Sequence, residues 1–250
     1  MEHGYIEWVG TGSGLNVQLG NTAFLVKGHT KTLLVDCGYT VTLELIKQGK
    51  LKDVTDVVLT HAHADHIGGL ESFAFMNYFG YRKRDDNRPT LHIASDDFAH
   101  ILWENSLRGG LERIQMDDNT PANASLETYF KLSIGEQVQI EGIPSAYLFS
   151  TPHVQNMDSY GIRFANGIFY SGDTIALPPA DPTLIFQDCQ FFETPSDVHI
   201  SYEKLRRELP DQVRAKTYLV HLGSGWEKKD PKADGFAGFV KPGDRFECPL

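Results

Sequence analysis

Apolar residues in this chain fall mostly in short runs closed by glycine, proline or polar turns. That spacing predicts buried strands more often than helices. Such runs stand at Thr22–Val26, Thr32–Asp36, Asp56–Leu59, Val138–Glu141, Ala146–Ser150, Tyr160–Ala165, Ile168–Ser171, Asp188–Glu193 and Thr217–Val220. Asn166-Gly167 separates two of them and predicts a hairpin with a type I′ turn, which needs positive φ at both central residues. Helical spacing appears at Thr42–Gln48, with Gly49 as terminator, and at Leu70–Phe75. Ser95-Asp96 would cap a further helix with Phe98, Ile101 and Leu102 on one face, and Tyr202–Leu209 reads as a helix halted by Pro210. Strands and helices mix throughout without a solenoid repeat or a low-complexity linker. Residues 1–250 are therefore read as one layered α/β domain.

Composition narrows the setting. The formal net charge is −10, which disfavours a duplex or folded tRNA as partner, since a polyphosphate calls for a basic surface. A small anionic substrate needs only a local site. The 3 cysteines, Cys37, Cys189 and Cys248, are scattered and suggest no disulfide framework. No run approaches a membrane span, and Met1-Glu2-His3-Gly4-Tyr5 lacks the basic and apolar parts of a signal peptide. The expected address is the cytoplasm.

The chemistry concentrates in Leu59-Thr60-His61-Ala62-His63-Ala64-Asp65-His66-Ile67-Gly68-Gly69. A strand delivers the cluster and two glycines turn the chain away from it. Neutral imidazoles and a carboxylate gathered at a strand end suit a borderline divalent cation such as zinc. The same arrangement, a short apolar strand and then a ligand type, recurs at Phe149–His153, at Ile168–Thr174 with Asp173, and at Tyr218–Gly223 with His221. Together these offer enough donors for two metals with open positions, as a catalytic site requires. Zinc is favoured, and manganese or iron would be tolerated. Asp36, at the end of an earlier strand, is either an orienting partner for a ligand histidine or a loop cap. Gly10-Thr11-Gly12-Ser13-Gly14 lacks the Lys-Ser or Lys-Thr of a phosphate loop and reads as a structural turn. His92 and His100 have no partner spacing. Tyr81–Arg88 reads as a charged, solvated loop.

His61-Ala62-His63-Ala64-Asp65-His66 resembles the signature of the metallo-β-lactamase superfamily. His153, the Ser171-Gly172-Asp173-Thr174 loop and His221 are similar to its later motifs in the right order, and Leu34–Gly38 to its first. The resemblance runs from about residue 8 to about residue 225. It implies a four-layer αββα sandwich. It also implies that His61, His63 and His153 hold one metal, that Asp65, His66 and His221 hold the other, and that Asp173 bridges them. Glu193-Thr194 and His199-Ile200-Ser201 are similar to the paired Glu and His motifs of ribonuclease Z-like phosphodiesterases. This implies that His199 lies at the site with Glu193 supporting it.

The tRNA-processing members of that branch carry a long arm between the third-motif histidine and the bridging aspartate. Here the interval from His153 to Asp173 is 20 residues, mostly hairpin, with no room for an arm. The nearest resemblance is to phage anti-Pycsar phosphodiesterases. It implies hydrolysis of cyclic nucleoside 3′,5′-monophosphates, including cCMP and cUMP, to linear monophosphates. Asp65 and Asp173 would fix the attacking water, and His199, oriented by Glu193, would protonate the leaving oxygen, a role worth ~10²–10⁴-fold. The resemblance also implies a homodimer, with loop 116–125 meeting the partner's site. The rival readings are an RNA 3′-processing nuclease or another hydrolase on the same scaffold, and a protein that sequesters a nucleotide intact.

Overall fold

The computed structural model describes residues 4–81, 87–116, 119–194 and 197–249. From the N-terminus, β1 (Tyr5–Gly10), β2 (Ala23–Lys27), β3 (Thr32–Val35), β4 (Asp56–Val58) and β5 (Thr90–Ile93) build one sheet. A separate two-stranded ribbon, β6 (Arg113–Gln115) and β7 (Pro121–Asn123), precedes β8 (Lys131–Ile134), which closes that sheet beside β5. The chain then enters a second sheet through β9 (Gln137–Val138), β10 (Ala146–Ser150), β11 (Tyr160–Phe164), β12 (Ile168–Tyr170), β13 (Leu184–Asp188), β14 (Thr217–Val220) and β15 (Gly238–Phe239). Finally β16 (Arg245–Glu247) returns to pair with β1. Each sheet has an antiparallel flank and a run of parallel strands, β3-β4-β5-β8 in the first and β12-β13-β14-β15 in the second.

Strand alternation sorts side chains into layers. In β13 and β14, Phe186 and Val220 face the other sheet, whereas Ile185 and Leu219 join an outer cluster. The centre between the sheets is aromatic. Trp8 packs on Phe24 with centroids 4.7 Å apart and on Phe186 at 5.0 Å, and Phe24 meets Tyr170 at 5.2 Å. The strand that carries Tyr170 leads into Asp173 and the strand that carries Phe186 ends at Asp188, so this core fixes the height of the site. Helices α1 (Val41–Lys47), α2 (Ala64–Ile67), α3 (Leu70–Phe75), α4 (Asp96–Leu102), α5 (Arg108–Leu111) and α6 (Leu126–Tyr129) lie in the first half. Of these, α1, α3 and α4 bury Leu45, Phe73 and Phe98 in the core that includes the first sheet. Helices α7 (Tyr202–Glu208) and α8 (Asp211–Arg214), with the turn between them, bury Leu205, Leu209 and Val213 against the second. The result is the αββα sandwich that the motifs imply. No helix among the described residues is long and apolar enough to cross a membrane.

Several local expectations need correcting. Asn166-Gly167 does not form a type I′ turn: only Gly167 has positive φ, at 86°, and its N–H bonds to Phe164 O at 3.1 Å. This is a three-residue loop in which the glycine takes the left-handed bulge position. The Asn166 amide instead donates to Pro249 O at 3.0 Å. Val138–Glu141 yields strand only at Gln137–Val138, and the run expected at Asp188–Glu193 lies earlier, at Leu184–Asp188. Ile101 does not join the buried face of α4: Phe98 and Leu102, one turn apart, are buried, and Ile101 is 38 % exposed. Loop 116–125 contains β7, paired to β6, with residues 117–118 outside the described ones. Of the charged stretch Tyr81–Arg88, residues 82–86 also lie outside them.

Candidate metal centre

Strand C-terminal ends deliver the ligand types, those of the parallel strands as open α/β sheets place their sites and that of the antiparallel β10 as well. Asp36 follows β3, His61 follows β4, His153 follows β10, Asp173 follows β12, Asp188 ends β13 and His221 follows β14. The seven donors expected from the sequence converge. His63 Nδ1 lies 3.0 Å from His61 Nε2 and 3.2 Å from His153 Nε2. Asp173 Oδ2 is 3.7 Å from His61 Nε2, 3.3 Å from His66 Nε2 and 3.4 Å from His221 Nε2. Asp65 Oδ2 is 3.6 Å from His66 Nε2 and 3.3 Å from His221 Nε2. Three overlapping clusters result, His61-His63-His153-Asp173, Asp65-His66-Asp173-His221 and Asp173-Asp188-His199-His221, with Asp173 common to all.

Surrounding groups set which ring nitrogen faces inward. Thr60 Oγ1 donates to Asp36 Oδ2 at 2.8 Å, so it accepts from His61 Nδ1 at 3.1 Å and leaves a lone pair on His61 Nε2. His66 Nδ1 donates to Asp36 Oδ2 at 2.8 Å, and His153 Nδ1 donates to Val198 O at 2.7 Å. His221 Nδ1 faces Asp188 Oδ1 at 3.2 Å. These partners turn Nε2 of His61, His66, His153 and His221 inward. Asp36 is thus an orienting partner as well as a cap, since it also accepts from the Thr60 N–H at 2.8 Å.

The donor set fits a pair of divalent cations. Ligands ~2.0–2.1 Å from a tetrahedral zinc lie about 3.3 Å from one another, close to the spacings here. Asp173 Oδ1 is buried without a hydrogen bond, and His66 Nε2 ends near Asp173 Oδ2 without forming one. Buried carboxylates without compensating charge are costly, and Asp36, Asp173 and Asp188 are all at most 1 % exposed.

The protons report the same demand for positive charge. Burial pushes His61, His63 and His153 down, with neighbouring imidazoles adding to the effect at His61 and His63, which favours the neutral ring at all three. Burial would also lower His66 and His221, but Asp173 and further carboxylates hold His66 well above its usual range and His221 up to about 10. Burial alone would raise Asp173, yet His221 and His66 hold it well below the carboxylate range.

Backbone shape is part of the site. Asp36 and His221 take φ of 60° and 58°, and Gly172 takes 59°. A Cβ at Gly38 would collide with Asp65 O, so only glycine lets the first-motif loop lie against the ligand turn. Gly14, read from sequence as part of a turn, lies against the Asp65 carboxylate, where a Cβ would come within 3.2 Å of Oδ2.

His199 reaches the site, as its motif implies. Its Nδ1 is 3.9 Å from Asp173 Oδ2, and its ring stands 4.9 Å from that of His153 and 4.8 Å from that of His221. The carboxylate that holds it is Asp188, whose Oδ2 is 2.8 Å from Nδ1. Glu193 does not: it is exposed, and its Oε1 accepts from Ser201 Oγ at 2.6 Å. The reason is the strand shift. With β13 ending at Asp188, that residue occupies the strand-end position and Glu193 lies in the loop beyond. A run starting at Asp188 hides that residue inside the strand, whereas Leu184-Ile185-Phe186-Gln187-Asp188 repeats the pattern of strand followed by ligand type. Asp188 is fixed in turn, its N–H to Ser171 Oγ at 2.8 Å and its Oδ2 accepting from Thr174 N–H at 2.9 Å.

Solved structures share the fold at low identity. The metallo-β-lactamase fold protein YhfI from Bacillus subtilis superposes with a TM-score of 0.73 at 16 % identity, covering 98 % of this chain and 100 % of that one. A diphosphatase from the PhnP family gives 0.73 at 17 % identity over 99 % of both chains, and the short form of human tRNase Z gives 0.65 at 12 % over 98 % of this chain and 100 % of that one. Among curated proteins, the Anti-Pycsar protein Apyc1 of Paenibacillus harenae is 34 % identical over 97 % of this chain and 99 % of its own length. That of Bacillus phage 010DV004 is 36 % identical over 90 % and 91 %. A family profile described as Anti-Pycsar protein Apyc1 matches residues 5–246. With its fold, motifs and near full-length likeness to these relatives, the chain belongs to the Anti-Pycsar protein Apyc1 family.

Proposed function

We propose that this protein is a metal-dependent phosphodiesterase that opens cyclic nucleoside 3′,5′-monophosphates, cCMP and cUMP among them, to linear monophosphates. The observation that carries the reading is the pair of donor clusters built on His61-His63-His153 and on Asp65-His66-His221 and sharing Asp173, with His199 at their edge and held by a carboxylate of its own. The relatives named for acting against Pycsar support it. Two divalent cations, zinc by the donor set, would supply a water of lowered pKa and neutralise charge on the phosphate oxygens.

The chain's own groups do the rest. His61, His63 and His153 would hold one cation, Asp65, His66 and His221 the other, with Asp173 between them. The side chain of Asp65 is 16 % exposed, so it can accept a proton from the attacking water while it still ligates. His199 is the proton donor. Burial would lower it, but Asp188 beside it raises it, which favours the imidazolium whose Nδ1–H bonds Asp188 and whose Nε2–H can protonate the leaving sugar oxygen. Asp188 replaces Glu193 as the residue that positions His199. The same reading makes the working unit a homodimer, which sedimentation would test.

Protein loaded with zinc or manganese is incubated with cAMP, cGMP, cCMP and cUMP, and separately with a precursor tRNA. Linear monophosphates from the cyclic substrates, and no cleavage of the RNA, are expected. Cyclic nucleotides recovered intact after long incubation would overturn the reading in favour of sequestration, and RNA cleavage in favour of a nuclease.

A further inference from the structure

A groove of about 460 Å³ opens beside the His61-His63-His153 cluster. One of its walls is tied to that cluster. Ala62, between two of the donor histidines, lines it, and so do Asn156, Met157 and Asp158, a few residues beyond His153. The opposite wall is α4. Resting on the phosphodiesterase reading, we propose that this groove receives the nucleobase, gripped by its faces between Ile101 and Met157 over the Phe98 floor.

Three observations carry this. First, the apolar pair is not used by the core: Phe98 is buried at 1 % exposure, whereas Ile101 on the same helix is 38 % exposed and Met157 is half-buried. Neither Ile101 nor Met157 packs into a hydrophobic cluster of the fold. Secondly, the polar rim is mixed. Asp97 and Asp158 accept, the Asn156 amide does both, and His100 can do either. Amino and carbonyl base edges would both find a partner there, so the groove selects for a flat apolar ring rather than for one base. Thirdly, the position suits the substrate. With the phosphate at the donors, the rest of a nucleotide must leave the site, and this groove starts one residue from His61 and from His63. Two other cavities are placed worse. The one lined by Phe149, Phe169 and Gln187 lies on the outer face of the second sheet, behind Thr174. The one lined by Val17, Tyr39 and Leu43 lies among the first-motif loops and α1.

The test compares Ile101→Ala, Met157→Ala and the double variant with the parent on the four cyclic nucleotides and on methyl 4-nitrophenyl phosphate, a diester without a base. Both side chains stand outside the core, so folding and metal content should match the parent. KM is expected to rise about tenfold for each single variant, the loss usual for one apolar contact, similarly for all four bases. kcat should stay within about threefold, and the base-free diester should be unaffected. An unchanged KM on nucleotides that are still turned over would overturn the groove assignment alone. So would a rise equal on the base-free diester. If the parent cleaves the base-free diester and no cyclic nucleotide, the substrate reading itself falls and takes the groove with it.

Discussion

Asp188 Oδ2 stands 2.8 Å from Nδ1 of His199, and its other oxygen faces Nδ1 of His221 at 3.2 Å. One buried carboxylate therefore serves a ring at the edge of the site and a ring among the proposed ligands. The two roles separate by mutation. His199→Ala should lower turnover ~10²–10⁴-fold with metal content near that of the parent. Asp188→Asn should lower turnover and also weaken metal retention, because His221 loses its partner. Plasma emission for metal, run beside the kinetic assay, checks both; collapse of metal content in His199→Ala would make that residue structural.

Asp36 orients His66 directly and His61 through Thr60. Asp36→Asn should weaken metal affinity roughly 10–100-fold, the usual cost of losing an outer partner of a ligand histidine. Competition with a chromogenic chelator reads this out, and unchanged affinity would remove Asp36 from the site's support.

Removing metal should lower the melting temperature, because buried carboxylates and inward-facing imidazoles are then left to compensate one another. Ligand excess of about 100 Kd contributes about 2.7 kcal/mol. Scanning calorimetry before and after chelation, followed by zinc or manganese restoration, tests it. Melting that ignores both treatments would count against a resident metal.

Trp8 ties the two sheets together beneath the site. Trp8→Ala should cost about 3–5 kcal/mol, read by urea unfolding. A smaller cost in Tyr170→Phe, which keeps the ring, would show that packing rather than the hydroxyl matters there.

Glu7, buried on β1, bonds Arg245 Nε at 2.7 Å and meets Lys50 Nζ at 3.0 Å. Burial would raise its carboxyl, but Lys50 and Arg245 more than offset this and hold it below the usual range. Its folded pKa is thus the lower one. The stabilisation is complete above the unfolded value and is lost as pH falls through the folded value. Glu7→Gln should flatten the loss of stability as pH falls below about 4.3, the ordinary glutamate value, measured by denaturant melts.

Much of the site was legible because its chemistry is local. His61 to His66 sit within one turn after one strand, and His153, Asp173 and His221 each repeat the strand-end position. Asp188 escaped because strand boundaries are weakly marked where apolar residues continue: Cys189, Phe191 and Phe192 follow it, and only pairing with β12 and β14 fixes where the strand stops. Glu193 gained from that error, since a charged residue past an apolar run looks like a ligand until register is known. The Asn166-Gly167 hairpin was correct in place and wrong in turn type, because an Asn-Gly pair fits two loop lengths. Ile101 was misplaced because helical spacing assigns a face, while tertiary packing decides how wide that face is.

The two sheets are contributed by successive halves of the chain, and β16 crosses back to pair with β1. Neither half holds a complete set of donors: residues 61–66 ride on one sheet, and His153, Asp173 and His221 ride on the other. A nascent chain emerging from a ribosome therefore stays chemically silent through most of its synthesis. On the proposed ligand set, the full complement of donors comes together only once residue 221 has cleared the exit tunnel and the later sheet has settled against the earlier one.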